Sequence, residues 1–157
     1  NCQNSQQVLE YSKYNISTMY QNELIAIGQV FLALLLGGVL GWHRERWGKF
    51  AGPRTNALVC GGSALFTILS LTAFSGFPAT VAAAVVSGIG FLGAGTILHK
   101  ENRVEGLTTA ASMWMVAAIG MAVGTGKYLI ATVITIFSLI VLMIDDRRFH
   151  KDHEARE

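Results

Sequence analysis

Five long apolar segments, separated by short polar connections, dominate the amino-acid sequence. They cover residues 24–42, 55–74, 79–98, 108–126 and 128–144. A helix that crosses the ~30 Å hydrocarbon core of a bilayer needs roughly 20 residues, because each residue adds about 1.5 Å. Strands are a poor alternative, since the segments are too long and show no strict alternation of apolar and polar residues. The sequence therefore predicts an all-α membrane protein, a bundle of about five transmembrane helices.

The scarcity of charge argues against a water-soluble helical protein. Charged residues make up 14% of the chain, against roughly 25% in an ordinary soluble domain. No charged residue occurs between residues 55 and 98, although the helices of a soluble protein need a polar face toward water. The apolar segments are thus expected to face lipid.

Basic residues are concentrated in alternate connections, and this pattern indicates the orientation of the bundle. The connections 43–54 and 99–107 and the residues after 144 hold ten Lys and Arg residues, while Lys13 and Lys127 lie on the other side. Lys and Arg near spans are retained in the cytoplasm. The sequence therefore predicts an N-terminus outside and a C-terminus inside.

The polar ends of the chain define three regions. Residues 1–22, rich in Gln, Asn, Ser and Tyr, are predicted to form a flexible or interfacial N-terminal tail. Residues 23–144 form the predicted five-helix transmembrane domain. Residues 145–157 form a charged cytoplasmic tail, which is too short to be a domain.

Glycines are frequent within the predicted spans and indicate close helix packing. Lipid tails give helices no hydrophobic reason to associate, so small residues that allow close backbone approach favour association. The pairs Gly37/Gly41 and Gly120/Gly124 have the four-residue spacing that places small residues on one face. We expect packing within one chain; the alternative is homo-oligomerisation or docking to another protein. The glycines of segment 88–95 point around the whole helix, which predicts a closely packed or partly irregular segment.

A faint internal repeat accompanies these glycines. A shift of 54 residues aligns Gly41 with Gly95 and Gly52 with Gly106 without gaps. Spans one and two also share the orientation of spans three and four, as a parallel duplication requires. The hypothesis is two related parallel hairpins plus a fifth helix; coincidence in a Gly- and Ala-rich chain is the alternative.

The first connection combines basic and aromatic residues. Its Arg and Lys side chains are flanked by Trp42, Trp47 and Phe50. Aromatic rings anchor at the membrane interface and cations pair with lipid phosphates, so anionic headgroups on the cytoplasmic face are an expected partner. The functional alternative is a docking surface or a charged gate at the mouth of a cavity. Threonine and asparagine residues at the starts of the second and fourth spans are expected to cap those helices.

Three glutamates near the two cytoplasmic connections raise the question of a cation site. Glu45, Glu101 and Glu105 could together hold Mg²⁺, which favours carboxylate oxygens. Ion pairing with neighbouring Arg residues is the simpler interpretation, because no carboxylate falls inside a span. We therefore predict no metal site and no cofactor.

Signals for catalysis and nucleic-acid binding are missing from the sequence. Ser and Thr residues are scattered through the spans without a partnered His or carboxylate, and no phosphate-binding loop occurs. The sequence therefore predicts a protein that is not an enzyme and binds no nucleic acid. A proton- or ion-coupled transporter usually has charged residues within its spans, and this chain has none.

Three long segments resemble those of the MgtC/SapB family. They read AGPRTNALV (51–59), VSGIGFLGAGTIL (86–98) and VEGLTTAASMWMVAAIG (104–120). The resemblance extends from about residue 24 to residue 144. It implies a multi-pass protein of a bacterial-type cytoplasmic (inner) membrane with about five helices, in a short form that lacks the C-terminal soluble domain of longer members. Relatives usually carry Glu or Asp where this chain has His43.

The resemblance also implies a function. Family members are linked to growth under magnesium limitation, a form of stress adaptation, and some relatives act by contacting other membrane complexes. We therefore expect a small accessory or regulatory protein whose partner is another membrane protein complex or a second copy of itself. The rival hypothesis is a channel or transporter for a cation or small solute, with the glycine-rich third span lining the path.

The candidate interaction residues are those expected to form the cytoplasmic end of the bundle and its docking surface, together with the glycine-rich span. They are Arg44, Glu45, Arg54, Thr55, Gly88, Gly90, Gly93, Gly95, Gly106, Thr108, Thr109 and Trp114.

Overall fold

The computed structural model describes residues 2–74, 76–100 and 103–154, with side chains for residues 21–74, 76–99 and 104–144. It contains five helices: α1 (Cys2–Arg46), α2 (Pro53–Thr72), α3 (Pro78–Ala94), α4 (Leu107–Gly124) and α5 (Tyr128–Glu154). Two short strands, β1 (Leu98–Lys100) and β2 (Arg103–Glu105), lie between α3 and α4 and pair antiparallel. The predicted all-α membrane bundle is thus confirmed, with one small hairpin added.

Among the residues whose side chains are described, three helical stretches are long and apolar enough to cross a membrane: Gln21–Arg46, Pro53–Thr72 and Leu107–Gly124. Pro78–Ala94 is a shorter apolar helix, and Tyr128–Ile144 is the apolar part of α5 with described side chains. Large apolar side chains cover the outside of the bundle, and Phe91 is 83% exposed. A soluble protein rarely exposes so much contiguous apolar surface, so this surface faces lipid.

The first helix is longer than the first predicted span. The sequence predicts a polar tail over residues 1–22, whereas α1 already begins at Cys2 and continues without interruption to Arg46. The side chains of residues 1–20 lie outside the described residues, as do those of the tail after residue 144. The boundaries predicted for the three regions therefore stay predictions.

The predicted end of the third span is wrong. The sequence predicts a helix through residue 98, but α3 ends at Ala94 and β1 begins at Leu98. The amide of Thr96 bonds to the carbonyl oxygen of Gly93, and its hydroxyl donates to the same oxygen at 2.8 Å. This turn closes the helix. Residues 95–98 are uncharged, so composition alone could not mark the end.

The glycine-rich run is also more regular than predicted. From residue 88 to Ala94 it is an ordinary α-helix, and the irregular backbone begins only at Gly95. Side chains built on Gly88 or Gly90 would meet no atom within 4 Å, whereas one on Gly93 would lie 3.4 Å from Cβ of Ala110. Only the last part of the run is therefore closely packed.

Helices α2 and α4 form the centre of the bundle. Each buries eight residues, whereas α3 buries only Ile89 and Gly93. Helix α1 packs against α2 and α4, and α5 packs mainly against α4. The core contains small and medium side chains such as Ala33, Cys60 and Val123, which allow the helices to approach closely.

The two glycine pairs make the closest helix contacts, as expected for packing within one chain. A Cβ on Gly37 would lie 2.5 Å from the carbonyl oxygen of Asn56, and one on Gly41 would lie 2.5 Å from Cα of Pro53. Gly120 faces the carbonyl of Cys60, and a Cβ on Gly124 would lie 2.7 Å from the carbonyl oxygen of Ala64, one turn further along α2. Both α1 and α4 are thus held against α2.

The internal repeat gains partial support. Helices α2 and α4 begin at Pro53 and Leu107, which matches the 54-residue shift. The ends of α1 and α3 do not follow the same shift, since α3 stops at Ala94. The hypothesis of two related hairpins stays a prediction.

Candidate functional site at the Arg44 end

The most unusual polar side chain of the bundle is Arg44, two residues before the end of α1. It is only 3% exposed. Its Nη2 donates to the hydroxyl oxygen of Thr109 at 2.5 Å, and its Nε lies 3.4 Å from the carbonyl oxygen of Phe50. Burial of a guanidinium is costly unless it is well bonded. Arg44 therefore joins α1, the first connection and the start of α4.

We call this region the Arg44 end. It comprises the last turn of α1, the connection 47–52, the first turns of α2 and α4, and the β-hairpin. The backbone turns sharply here: Gly48, Ala51 and Gly106 have positive φ values of 62°, 61° and 90°. A side chain at Gly106 would collide with the carbonyl of Thr96. Glycine is thus required where the hairpin leads into α4.

A second buried polar residue, Asn56, stabilises the start of α2. It is completely buried, and its Nδ2 donates to the carbonyl oxygens of Ala51 and Gly52 at 2.5 and 3.0 Å. Its Oδ1 is buried without a hydrogen-bond partner. Sequence reasoning missed the role of Asn56, because nothing in its spacing distinguishes it from an exposed first-turn residue.

The expected threonine caps are not present. The N-cap residues of α2 and α4 are Gly52 and Gly106, and neither helix has a side-chain cap hydrogen bond. Thr108 is exposed on the first turn of α4, and Thr109 accepts the hydrogen bond from Arg44 instead. The correction follows from the helix starts, which lie one or two residues earlier than predicted.

A cavity of about 410 Å³ opens beside Arg44. Its wall carries the side chains of Lys49, Glu105, Thr108 and Leu142 as well as the first turn of α4. Near it, the guanidinium of Arg46 lies 4.5 Å from the centre of the Trp42 ring, and the rings of His43 and Trp47 are 6.3 Å apart. The Arg44 end is thus both basic and aromatic.

The structure divides the sequence-predicted residues between several places. Those that it brings to the Arg44 end are Arg44, Glu45, Arg54, Thr55, Gly106, Thr108 and Thr109. Gly95 lies between α3 and β1. Glu45, Arg54 and Thr55 are exposed at the Arg44 end, whereas Arg44 and Thr109 are buried and bond to each other inside the bundle. The docking role expected of these residues stays a prediction.

The remaining predicted residues lie elsewhere on the bundle. Gly88, Gly90 and Gly93 lie within α3, which is not part of the Arg44 end. Trp114 is 51% exposed on the outside of α4. A polar contact that the sequence did not reveal is that of Gln29, whose Nε2 lies 3.2 Å from the Val123 carbonyl oxygen and 3.0 Å from the Tyr128 hydroxyl. Gln29 therefore connects α1 to the C-terminal end of α4 and to the N-terminal end of α5.

The hypothesis of a glutamate cation site gains no support. Over the described part of the chain, no three His, Cys, Asp or Glu side chains are placed to hold a metal ion. Glu45 is exposed beside Gly52, whereas Glu105 lines the cavity next to Arg44. Glu101 lies outside the described residues.

Comparison with known proteins identifies one matching family and several similar proteins. The family model of the MgtC family matches residues 30–151. YhiD of Escherichia coli K12, named as a candidate magnesium transporter, is 41% identical over 125 residues, covering 74% of this chain and 58% of that protein. MgtC of Salmonella typhimurium LT2 is 45% identical over 113 residues, with coverages of 70% and 49%.

A third relative extends the same pattern. MgtC of Brucella abortus is 46% identical over 110 residues, with coverages of 69% and 46%. The chain thus spans about half the length of the curated relatives it matches. No solved structure matches the chain. Because the family model covers most of the five-helix bundle, and the relatives are at least 41% identical over their aligned lengths, the chain belongs to the MgtC family.

Proposed function

We propose that this chain is a multi-pass protein of a bacterial inner membrane that assists or regulates another membrane protein when magnesium is limiting. It acts through contacts between transmembrane helices, and no catalytic step is involved. The link to magnesium rests on the family and on the name of YhiD. The contact mode rests on one observation: only Ile89 and Gly93 of α3 are buried, so most of this helix is uncovered.

The surface around α3 is suited to another helix. A groove of about 630 Å³ lies between α2 and α3, and Gly62 and Gly88 both line it. A Cβ added to either glycine would meet no atom within 4 Å. Glycine in a helix costs about 1 kcal/mol relative to alanine, and close approach of a partner helix is the usual compensation in membranes. We therefore propose a transmembrane helix of a partner complex as the occupant.

Close packing of the central helices supports the contact role over a solute pathway. The glycine contacts of α1 and α4 with α2 bring the backbones of these helices together. The buried hydroxyls of Thr67, Ser70 and Thr135 donate to carbonyl oxygens of their own helices, so their protons are already used within the protein.

A channel or transporter is the second candidate, and the name of YhiD favours it. In that case α3 would line the path together with α2, since a groove of about 630 Å³ lies between them. The lining residues of that groove include no charged side chain. The two candidates differ in whether the isolated protein moves Mg²⁺.

The decisive test is a pair of matched glycine substitutions. Gly88→Leu fills the groove, while Gly28→Leu adds the same side chain on α1, where the added Cβ also meets no atom within 4 Å. Both proteins should insert and fold. We expect Gly88→Leu to reduce recovery of the partner complex in mild detergent on the order of tenfold, as for loss of about 1.4 kcal/mol at an interface, and to impair growth at low Mg²⁺.

Gly28→Leu is the control for Gly88→Leu. Gly28→Leu should retain both complex formation and growth. Unimpaired growth and complex formation by Gly88→Leu would contradict the proposed contact. Mg²⁺ flux into liposomes that hold only the purified protein and a Mg²⁺-sensitive dye would establish the transport alternative instead.

A further inference from the structure

A second, apolar space lies next to the cavity beside Arg44. It is a cleft of about 260 Å³ between α4 and α5, and Leu40 of α1 also lines it. Thr108 and Leu142 line both the cavity and the cleft. The two spaces are therefore adjacent, one with a polar lining and the other with an apolar lining.

The polar cavity is suited to an anion. Arg44, which is 3% exposed, and Lys49 contribute two positive charges to its wall, and Glu105 is the acidic side chain among its described lining residues. The first turn of α4 also lines the cavity and has no side-chain cap. Amides of a helix N-terminus and a guanidinium both favour phosphate oxygens.

The apolar cleft is suited to a hydrocarbon chain. Its wall includes Met115, Ile134, Phe137 and Val141. From Leu142 to Ile134 the cleft follows α5 for eight residues, which corresponds to about 12 Å along the helix axis. It leads from the end of α1, where the headgroup layer is expected, toward the middle of the spans.

We propose that the cavity and the cleft together bind a single anionic phospholipid. Its phosphate lies beside Arg44 and Lys49, and one acyl chain occupies the cleft between α4 and α5. Charge complementarity at one end and apolar walls at the other identify this occupant. The groove between α2 and α3 is larger, but its lining residues carry no charge, so it offers no headgroup position. The site is independent of the partner contact proposed for α3.

The test uses all 157 residues of the chain, purified in mild detergent and stripped of lipid. Binding of dioleoyl phosphatidylglycerol, dioleoyl phosphatidylcholine and inorganic phosphate is compared by native mass spectrometry. We expect one tightly retained phosphatidylglycerol. Lys49→Gln should weaken its binding about fivefold, as for loss of one cation near a lipid surface. Lys49 is chosen because replacement of buried Arg44 endangers folding.

A second substitution tests the acyl-chain position. Ala111→Phe fills the cleft between α4 and α5, whereas Ala84→Phe adds the same side chain to the groove between α2 and α3. Only Ala111→Phe should abolish retention of phosphatidylglycerol. Lys127→Gln removes a positive charge from an exposed position on the connection between α4 and α5 and should retain binding.

Three results would overturn the proposal. Equal retention of phosphatidylglycerol and phosphatidylcholine would exclude the role of Arg44 and Lys49. Equal losses in the site variants and in their controls would show binding to the general surface. Undiminished phosphate binding by Ala111→Phe, with no retention of lipid by the unmodified chain, would identify free phosphate as the ligand.

Discussion

Arg44 illustrates how one residue departs from the usual behaviour of its type. Arginines near the ends of membrane helices normally extend toward the headgroups. Arg44 instead turns inward and reaches Thr109 across 65 positions of sequence. The first connection holds three further basic residues, and sequence alone could not show which of the four is buried. That outcome depends on the contact between α1 and α4.

At the residue scale, we expect neighbouring threonines of α4 to differ sharply. Thr109→Ala removes one acceptor of the buried Arg44 guanidinium and should lower the free energy of unfolding by about 1–3 kcal/mol. Thr108→Ala changes an exposed hydroxyl and should have an effect within about 0.5 kcal/mol. Thermal unfolding of both variants in the same detergent measures the difference. Equal stabilities would show that the bond contributes nothing.

The helices of this bundle differ in whether their glycines pack against another helix or face open space. Sequence spacing predicted close packing at Gly37/Gly41 and Gly120/Gly124, and the structure agrees, because a four-residue spacing necessarily places both residues on one face. It could not predict that Gly88 and Gly90 face open space. The identity of the opposing helix face is a tertiary property. The early end of α3 was missed for the same reason.

At the element scale, the same substitution should therefore have opposite effects at two positions. Gly120→Ala places a Cβ against the carbonyl of Cys60 and should destabilise the bundle by roughly 1–3 kcal/mol. Gly88→Ala meets no atom and should be neutral or stabilise by up to about 1 kcal/mol. Thermal melts in detergent compare the two. A destabilised Gly88→Ala variant would contradict the open face assigned to α3.

The molecule as a whole follows the span pattern of its sequence. Apolar length and the absence of charge predicted the membrane bundle, because burial in lipid is decided by composition over a whole helix. The hairpin between α3 and α4 and the adjacent cavity and cleft were not predictable, since they depend on how separate connections meet. The membrane orientation is inferred from basic residues alone and calls for its own experiment.

Single cysteines can test that orientation. In a chain with Cys2→Ser and Cys60→Ala, we expect Lys127→Cys to react with a membrane-impermeant maleimide added to intact cells with a permeabilised outer membrane. Phe50→Cys should react only after the inner membrane is disrupted. Both original side chains are exposed, so accessibility within the protein does not decide the result. The reverse labelling pattern would refute the proposed topology.

The uninterrupted first helix has a mechanical consequence. Its 45 residues correspond to about 68 Å, more than twice the ~30 Å hydrocarbon thickness. The contacts of Gly37 and Gly41 with α2, and those of Gln29 with Val123 and Tyr128, hold α1 at two levels of the bundle. The helix axis from Gln29 back to Cys2 measures about 40 Å, given the helical rise. A tilt of this part by about 10° would displace Cys2 by roughly 7 Å.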